Sequence, residues 1–273
     1  DNGASQEGGP YGFVNAMGPY NQVPEPPPAK LARIDAIGGP DSHSNFPWGW
    51  AMCSNTPLKR YKQNTHGGGI RDPLIVNWPA GIHDAGLAAR GELRHGFAHA
   101  SDVVPTLLDL LGLQPPAQRH GLDCLPLDGQ SFAPMLRDPA APPRSKPQLF
   151  EMFGHRGLWH GGWKAVAFHA SGQPFAADVW ELYHLDADFA ENHDLAATQP
   201  ERLAALQALW WQEAERCQVL PLDDRFGPRF AENGRRVQGH RRQFVFHAGM
   251  GHLPTDVAPD VRGPHYRIDA EVQ

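Results

Sequence analysis

Cysteine is scarce in this chain, and its number is odd. Cys53, Cys124 and Cys217 lie far apart among 273 residues, which argues against a disulfide framework or a zinc knuckle and predicts buried or free thiols. Long apolar runs are missing as well, with none approaching the ~20 residues of a membrane-spanning helix. Positive charge is in deficit, 24 Lys and Arg against 30 Asp and Glu, so the net charge of −6 gives no electrostatic case for nucleic acid as a partner. The 15 histidines are scattered, without an HExxH pattern or a tight His/Cys cluster, so they do not announce a transition-metal site. No internal repeat is present.

What remains is an ordinary globular composition, 41% apolar and 20% charged, in a chain long enough to bury a core. Residues 1–60 are poor in regular pattern. The stretch GPYNQVPEPPPAK cannot be a helix interior, and GGPDSHSNFPWGWAMCSNTP reads as a turn-dense loop anchored by Phe46, Trp48 and Trp50. Order is expected from residue 68. GGIRDPLIVNWP reads as a glycine turn feeding a strand at 74–78, apolar enough to be buried on both faces. HASDVVPTLLDLLGL reads as a helix capped by Ser101 or Asp102, stopped at Gly112, with Val104, Leu107, Leu108 and Leu111 on one apolar face. A strand followed by a packed helix implies the α/β class. The pattern then changes: QLFEMF, GGWKAVAF and WELYHL, separated by turns, signal an antiparallel sheet. Thr198-Gln199-Pro200-Glu201 reads as a capping box opening an amphipathic helix through Leu203, Leu206, Trp210, Ala214 and Cys217. The expected divisions are 1–147, a small sheet with one packed helix at 148–222, and an extension at 223–273.

Two segments offer chemistry. The chain opens Asp1-Asn2-Gly3, a carboxylate and an amide oxygen ahead of a turn. Both oxygens are hard ligands suited to Ca²⁺ or Mg²⁺; the competing reading is an ordinary Asn-Gly turn. Further on, RYKQNTHGGGIRDP places Lys62 shortly before three glycines. Glycines permit close approach of backbone to a ligand, and an ammonium suits an anion. The competing reading is a solvated basic face formed by Lys59, Arg60 and Lys62.

Taken in order, DNG, then NTPLKRYKQNTHGGGIRDPLIVNWPAGI, then HASDVVPTLLDLLGL, then WELYHLDADFAENHDLA resemble the sulfatase family, specifically the arylsulfatases of the alkaline phosphatase superfamily. The resemblance runs over about residues 1–215. It implies an α/β fold of which this is the C-terminal part: an alkaline-phosphatase-like mixed sheet with helices, followed by a small antiparallel-sheet-plus-helix subdomain. It also implies hydrolysis of a small-molecule or glycan sulfate ester. Asp1 and Asn2 match the family's calcium ligands, and Lys62 matches the lysine that contacts the sulfate and the leaving oxygen. His66 is a further substrate-binding candidate beside Lys62, with no specific role carried over. Gly67 stands where many members have glutamate. The family's nucleophile is a formylglycine made from the cysteine of Cys-x-Pro-x-Arg. Neither CSNTP at Cys53 nor CLPLD at Cys124 fits that pattern, so the nucleophile is expected outside this chain and the chain alone is expected to be inactive. Two alternatives stay open: a phosphoester or phosphonate-ester hydrolase of the same superfamily, and a non-catalytic binding module built on the aromatic loop 46–50 and the small sheet.

Overall fold

The computed structural model describes residues 3–20, 23–83, 86, 91–225, 243–247 and 250–251. The chain divides into two compact units, Asp1–Pro221 and Leu222–Gln273. In the second, the described residues carry no helix or strand, and Arg225 pairs with Asp223 at 2.8 Å. The first unit holds everything discussed below. Its architecture is mixed α/β, with helices and antiparallel sheets. Short helices come first: α1 (Met17–Tyr20), α2 (Pro27–Leu31), α3 (Trp48–Ser54), α4 (Gly67–Ile70), α5 (Val103–Leu111). A two-residue ladder pairs β1 (Gln118–Arg119) with β2 (Leu122–Asp123), and α6 (Ala133–Arg137) follows. The chain then builds β3 (Gln148–Met152), β4 (His155–His160), β5 (Trp163–Ala167) and β6 (Trp180–His184), closed by α7 (Pro200–Arg216).

Strands β3 to β6 form one antiparallel meander in sequence order. Two tight turns set its register: Phe153-Gly154 and Gly161-Gly162 all have positive φ, the condition for a two-residue turn whose twist matches the strands. Because side chains alternate across a strand, the sheet has two unlike faces. Arg156, Ala167 and Trp180 lie in one row across it, and Leu158, Ala165 and Leu182 in the next. Helix α7 covers this face with Leu206, Trp210 and Ala214, all buried, and Trp210 meets Trp180 edge-on at 6.2 Å. Arg156 is 2% exposed here, paired with Asp178 and lying 5.0 Å from the Trp180 ring and 5.9 Å from the Trp210 ring. The opposite face carries Gly157, Val166 and Glu181 in one row and Trp159, Lys164 and Tyr183 in the other. That face receives the loop 59–70.

Several expectations are corrected. Residues 74–78 form no strand; Leu74, Ile75, Val76 and Trp78 are exposed, and a run patterned for burial on both faces finds no paired neighbour among the described residues. Helix α5 forms with Gly112 in the left-handed cap position, yet Val104, Leu107 and Leu111 on its apolar face are more than half exposed. Asp102 stands at the N-cap of α5 without a side-chain capping bond to it; its carboxylate accepts from the His99 N–H at 2.9 Å, closing the turn before the helix, and pairs with the buried Arg144. The segment read as a turn-dense loop contains α3, with Trp48 and Trp50 exposed rather than anchoring. Prolines open α2 in its first turn, where a missing N–H costs nothing. Pro200 begins α7 in the same way, but Thr198 makes no capping bond; its hydroxyl donates to the Leu195 carbonyl instead. All three cysteines are free and exposed, so free is right and buried is not. Among the described residues no helix is long and apolar enough to cross a membrane.

Candidate functional site

Three segments distant in sequence meet around the loop that carries Lys62: the residues from Gly3 to Glu7, the 55–70 loop itself and the small sheet. The loop is shaped by its glycines. A Cβ at Gly68 would lie 2.0 Å from the Arg60 carbonyl, and one at Gly69 would lie 2.1 Å from the Asn64 carbonyl. Only hydrogen fits at these positions, so the chain from 60 to 64 folds tightly over α4. Arg60 and Gln63, which bracket Lys62, hold φ of 68° and 72°, a left-handed conformation costing roughly 1–2 kcal/mol for each side-chain-bearing residue. Surrounding bonds compensate this cost. The Asn55 side chain donates to the carbonyls of Arg60 (3.0 Å) and Gly68 (2.9 Å), and its oxygen accepts from the Ala4 N–H (3.1 Å). The Arg60 guanidinium lies 4.1 Å over Phe168.

The opening residues join the same knot. The Lys62 N–H donates to the Ala4 carbonyl at 3.1 Å. Gly3 sits so close to α4 that a Cβ there would lie 2.0 Å from the Gly68 carbonyl. The Lys62 ammonium meets Glu7 Oε1 at 2.5 Å, and Ser5 donates its hydroxyl to the other oxygen of that carboxylate. Burial alone would raise the Glu7 pKa, but the bonds from Lys62 and Ser5 outweigh it and hold the carboxyl below its usual range. Asp1 and Asn2, the two proposed metal ligands, lie outside the described residues.

The sheet is the platform under this loop. Thr65 donates to the Arg156 carbonyl at 2.9 Å, in the groove left by Gly157, where a Cβ would be 3.1 Å from Thr65. His66 is 1% exposed and reaches Glu181 at 3.3 Å. Lys59 donates to Glu181 at 2.6 Å and to the Tyr183 hydroxyl at 2.7 Å, and Tyr183 donates in turn to Glu181. Glu191 accepts from the Gly67 N–H at 2.9 Å and from the buried Lys164 ammonium at 2.5 Å. The charges respond to this packing. Burial, partly opposed by Glu181, pushes His66 below its ordinary pKa and keeps the ring neutral near pH 7. For Glu181 burial acts upward, but the bonds with His66, Lys59 and Tyr183 prevail and hold it far below the carboxylate range. Burial pushes Lys164 down against the pull of Glu191.

The structure therefore brings Lys62 to the chain's opening residues and places His66 on the opposite side of the loop, against the sheet. Four residues that sequence reading passed over hold this arrangement. Glu181 and Glu191 stood inside the quoted WELYHLDADFAENHDLA phrase; a carboxylate in an aromatic strand was the available signal for Glu181, while Glu191 lies past the end of β6. Asn55 and Glu7 are polar residues in loops and carried none.

Calcium takes about six to eight oxygens. Among the described residues no group of three or more His, Cys, Asp or Glu could hold a metal ion. Near this corner the Asn55 oxygen is used by Ala4 and the Glu7 carboxylate by Lys62 and Ser5.

Residues 1–113 match the family model described as Sulfatase. An uncharacterised sulfatase of Schizosaccharomyces pombe is 28% identical over 191 residues, covering 67% of this chain and 32% of its own length. Mouse N-acetylgalactosamine-6-sulfatase is 42% identical over 81 residues, 28% of this chain and 14% of that protein. Human arylsulfatase A is 29% identical over 187 residues, 60% and 34% respectively. The chain thus spans about a third or less of these relatives. The crystal structure of Ps i-CgsB aligns over 69% of this chain and 38% of its own, at 22% identity and a TM-score of 0.46. Residues 1–113 thus match the Sulfatase family model, and the relatives this chain is similar to are sulfatases.

Proposed function

We propose that this chain provides one side of a sulfate-ester hydrolase site, with Lys62 as the group that binds the sulfate and stabilises the departing oxygen. The observation that carries the reading is the Lys62 N–H bond to Ala4, which sets the Lys62 loop against the residues that directly follow Asp1 and Asn2. In this reading Asp1 and Asn2 hold a calcium ion, which when bound neutralises sulfate charge and orients the ester. The Lys62 ammonium offers three donors to sulfate and bridging oxygens, and a preorganised cation aimed at a developing oxyanion is worth on the order of a hundredfold or more in rate. His66 stays on the substrate-side roster by its place next to this lysine. Its buried contact with Glu181 supports an indirect part, bracing the loop from beneath. The small sheet at 148–222 is proposed as the platform that fixes the lysine, and the formylglycine nucleophile is assigned to residues outside this chain.

The substrate class favoured is a sulfated sugar or aryl sulfate, in line with relatives named N-acetylgalactosamine-6-sulfatase and arylsulfatase A. Calorimetry with Ca²⁺ and an aryl sulfate tests the proposal. Saturable heat that disappears in Lys62→Ala is expected. A folded chain giving no heat with either ligand would favour the binding-module reading instead.

A further inference from the structure

The Lys62 ammonium already has an anion on it. Glu7 Oε1 lies 2.5 Å away, and both side chains are partly exposed, 30% for Lys62 and 23% for Glu7, so an anion from solvent can reach the same point. The carboxylate is not a casual surface partner. Ser5 donates to its second oxygen, and Asn45 donates to Ser5 at 2.8 Å, which fixes the hydroxyl in the donating sense. Gln6 and Gln63 join side chains across the two loops, next to the Lys62 N–H bond with Ala4. Glu7 is thereby held by Ser5, itself fixed by Asn45, in the position where it meets the ammonium.

A carboxylate oxygen and a sulfate oxygen present the same acceptor to an ammonium. Two anions against one cation repel each other, and like charges brought together across a contact are costly. The seat around Glu7 has the geometry of an internal occupant of an anion site. We propose that Glu7 is a specificity-determining residue of this site: a built-in carboxylate competitor that must yield the Lys62 ammonium before a sulfate group can bind there. The inference rests on reading Lys62 as the sulfate contact. Its direct consequences are weakened binding of free sulfate and weak anions and a resting Lys62 whose charge is compensated. The low pKa of Glu7 keeps the competitor ionised through neutral pH.

The test is a titration of the ¹⁵N-labelled 273-residue chain with inorganic sulfate, against sodium chloride of equal ionic strength, following the amides of Ala4, Lys62 and Gly68. Glu7→Gln keeps the shape and the Ser5 bond but removes the charge; it should bind sulfate about tenfold more tightly than the unaltered chain. Ser5→Ala, which loosens the seat, should fall between the two. Lys62→Met, alone or with Glu7→Gln, should show no saturable shift. The Tyr183 amide reports that each variant keeps its sheet. If Glu7→Gln and Ser5→Ala bind as the unaltered chain does while Lys62→Met loses binding, the competitor role is overturned and the Lys62 assignment stands. If Lys62→Met binds as well as the unaltered chain, the Lys62 assignment itself fails. If sulfate gives no saturable shift even in Glu7→Gln, both fail.

Discussion

The two faces of the small sheet are built from the same four strands and do different work. Against α7 the sheet presents Leu158, Ala165, Ala167 and Leu182, and the buried Arg156 on this face is enclosed by tryptophan rings and Asp178. Against the 59–70 loop it presents Lys164, Glu181 and Tyr183, each bonded to a named atom of a neighbouring segment. Apolar burial is non-directional and contributes free energy roughly in proportion to area. Hydrogen-bonded charges contribute less net stability and much more geometry. The comparison teaches that the helix face holds the subdomain together, while the loop face places Lys62.

Substitutions can separate these duties. Trp210→Ala should cost the most, about 3–5 kcal/mol, because it empties the centre of the helix face. Urea unfolding should show the loss, and amide shifts near Lys62 should stay in place until the whole unit unfolds. Glu191→Ala should cost nearly as much, roughly 3–5 kcal/mol, since it strands a buried ammonium and a backbone N–H. Unlike the tryptophan change, it should move the Gly67 and Lys62 amides in the folded protein. The double change Lys164→Met with Glu191→Leu should recover most of the stability and leave the Lys62 amide displaced.

Acidity supplies a third contrast. Burial, with the charges of His169 and His66 adding to it, pushes His155 down to about 4. A histidine held neutral in the folded state binds fewer protons than the unfolded chain between its two pKa values, so stability falls as pH drops from about 6.5 to about 4. The effect should reach up to about 3 kcal/mol and flatten in His155→Gln, as read from urea midpoints across that window. The smallest effect is expected from Glu181→Gln, about 1–2 kcal/mol, accompanied by faster amide exchange at Thr65 and His66. Equal local effects from Trp210→Ala and Glu181→Gln would erase the distinction between the faces.

The fold class and most of the small sheet were legible in the sequence, and so was the glycine run beside Lys62. The glycines after Lys62 could be read because close backbone approach leaves few residue choices, and Gly68 and Gly69 meet carbonyls for that reason. Three of the four strands were visible in their aromatic and branched residues. Strand β4 was not, because HRGLWH spends three of its six positions on two histidines and an arginine, and Arg156 is buried by its ion pair with Asp178 and the surrounding rings. The apolar runs at 74–78 and on α5 were read as buried. Apolar pattern encodes a face to be covered and does not encode what covers it. Trp48 failed as an anchor for a similar reason: its ring nitrogen finds the Gln6 carbonyl at 2.9 Å while the ring stays in solvent. Glu7 was invisible, since nothing local marks a loop glutamate that will meet a lysine 55 positions later.

At the centre of the account is the proposal that Asp1 and Asn2 hold a cation in a corner shared with the ammonium of Lys62. Mn²⁺, which prefers the same hard oxygens, can stand in for calcium and broaden nearby amide signals. Titrated into the labelled chain, it should broaden Gly3, Ala4 and Lys62 first, and the broadening should vanish in Asp1→Ala. Selective broadening elsewhere, with Lys62 sharp at saturation, would contradict the account.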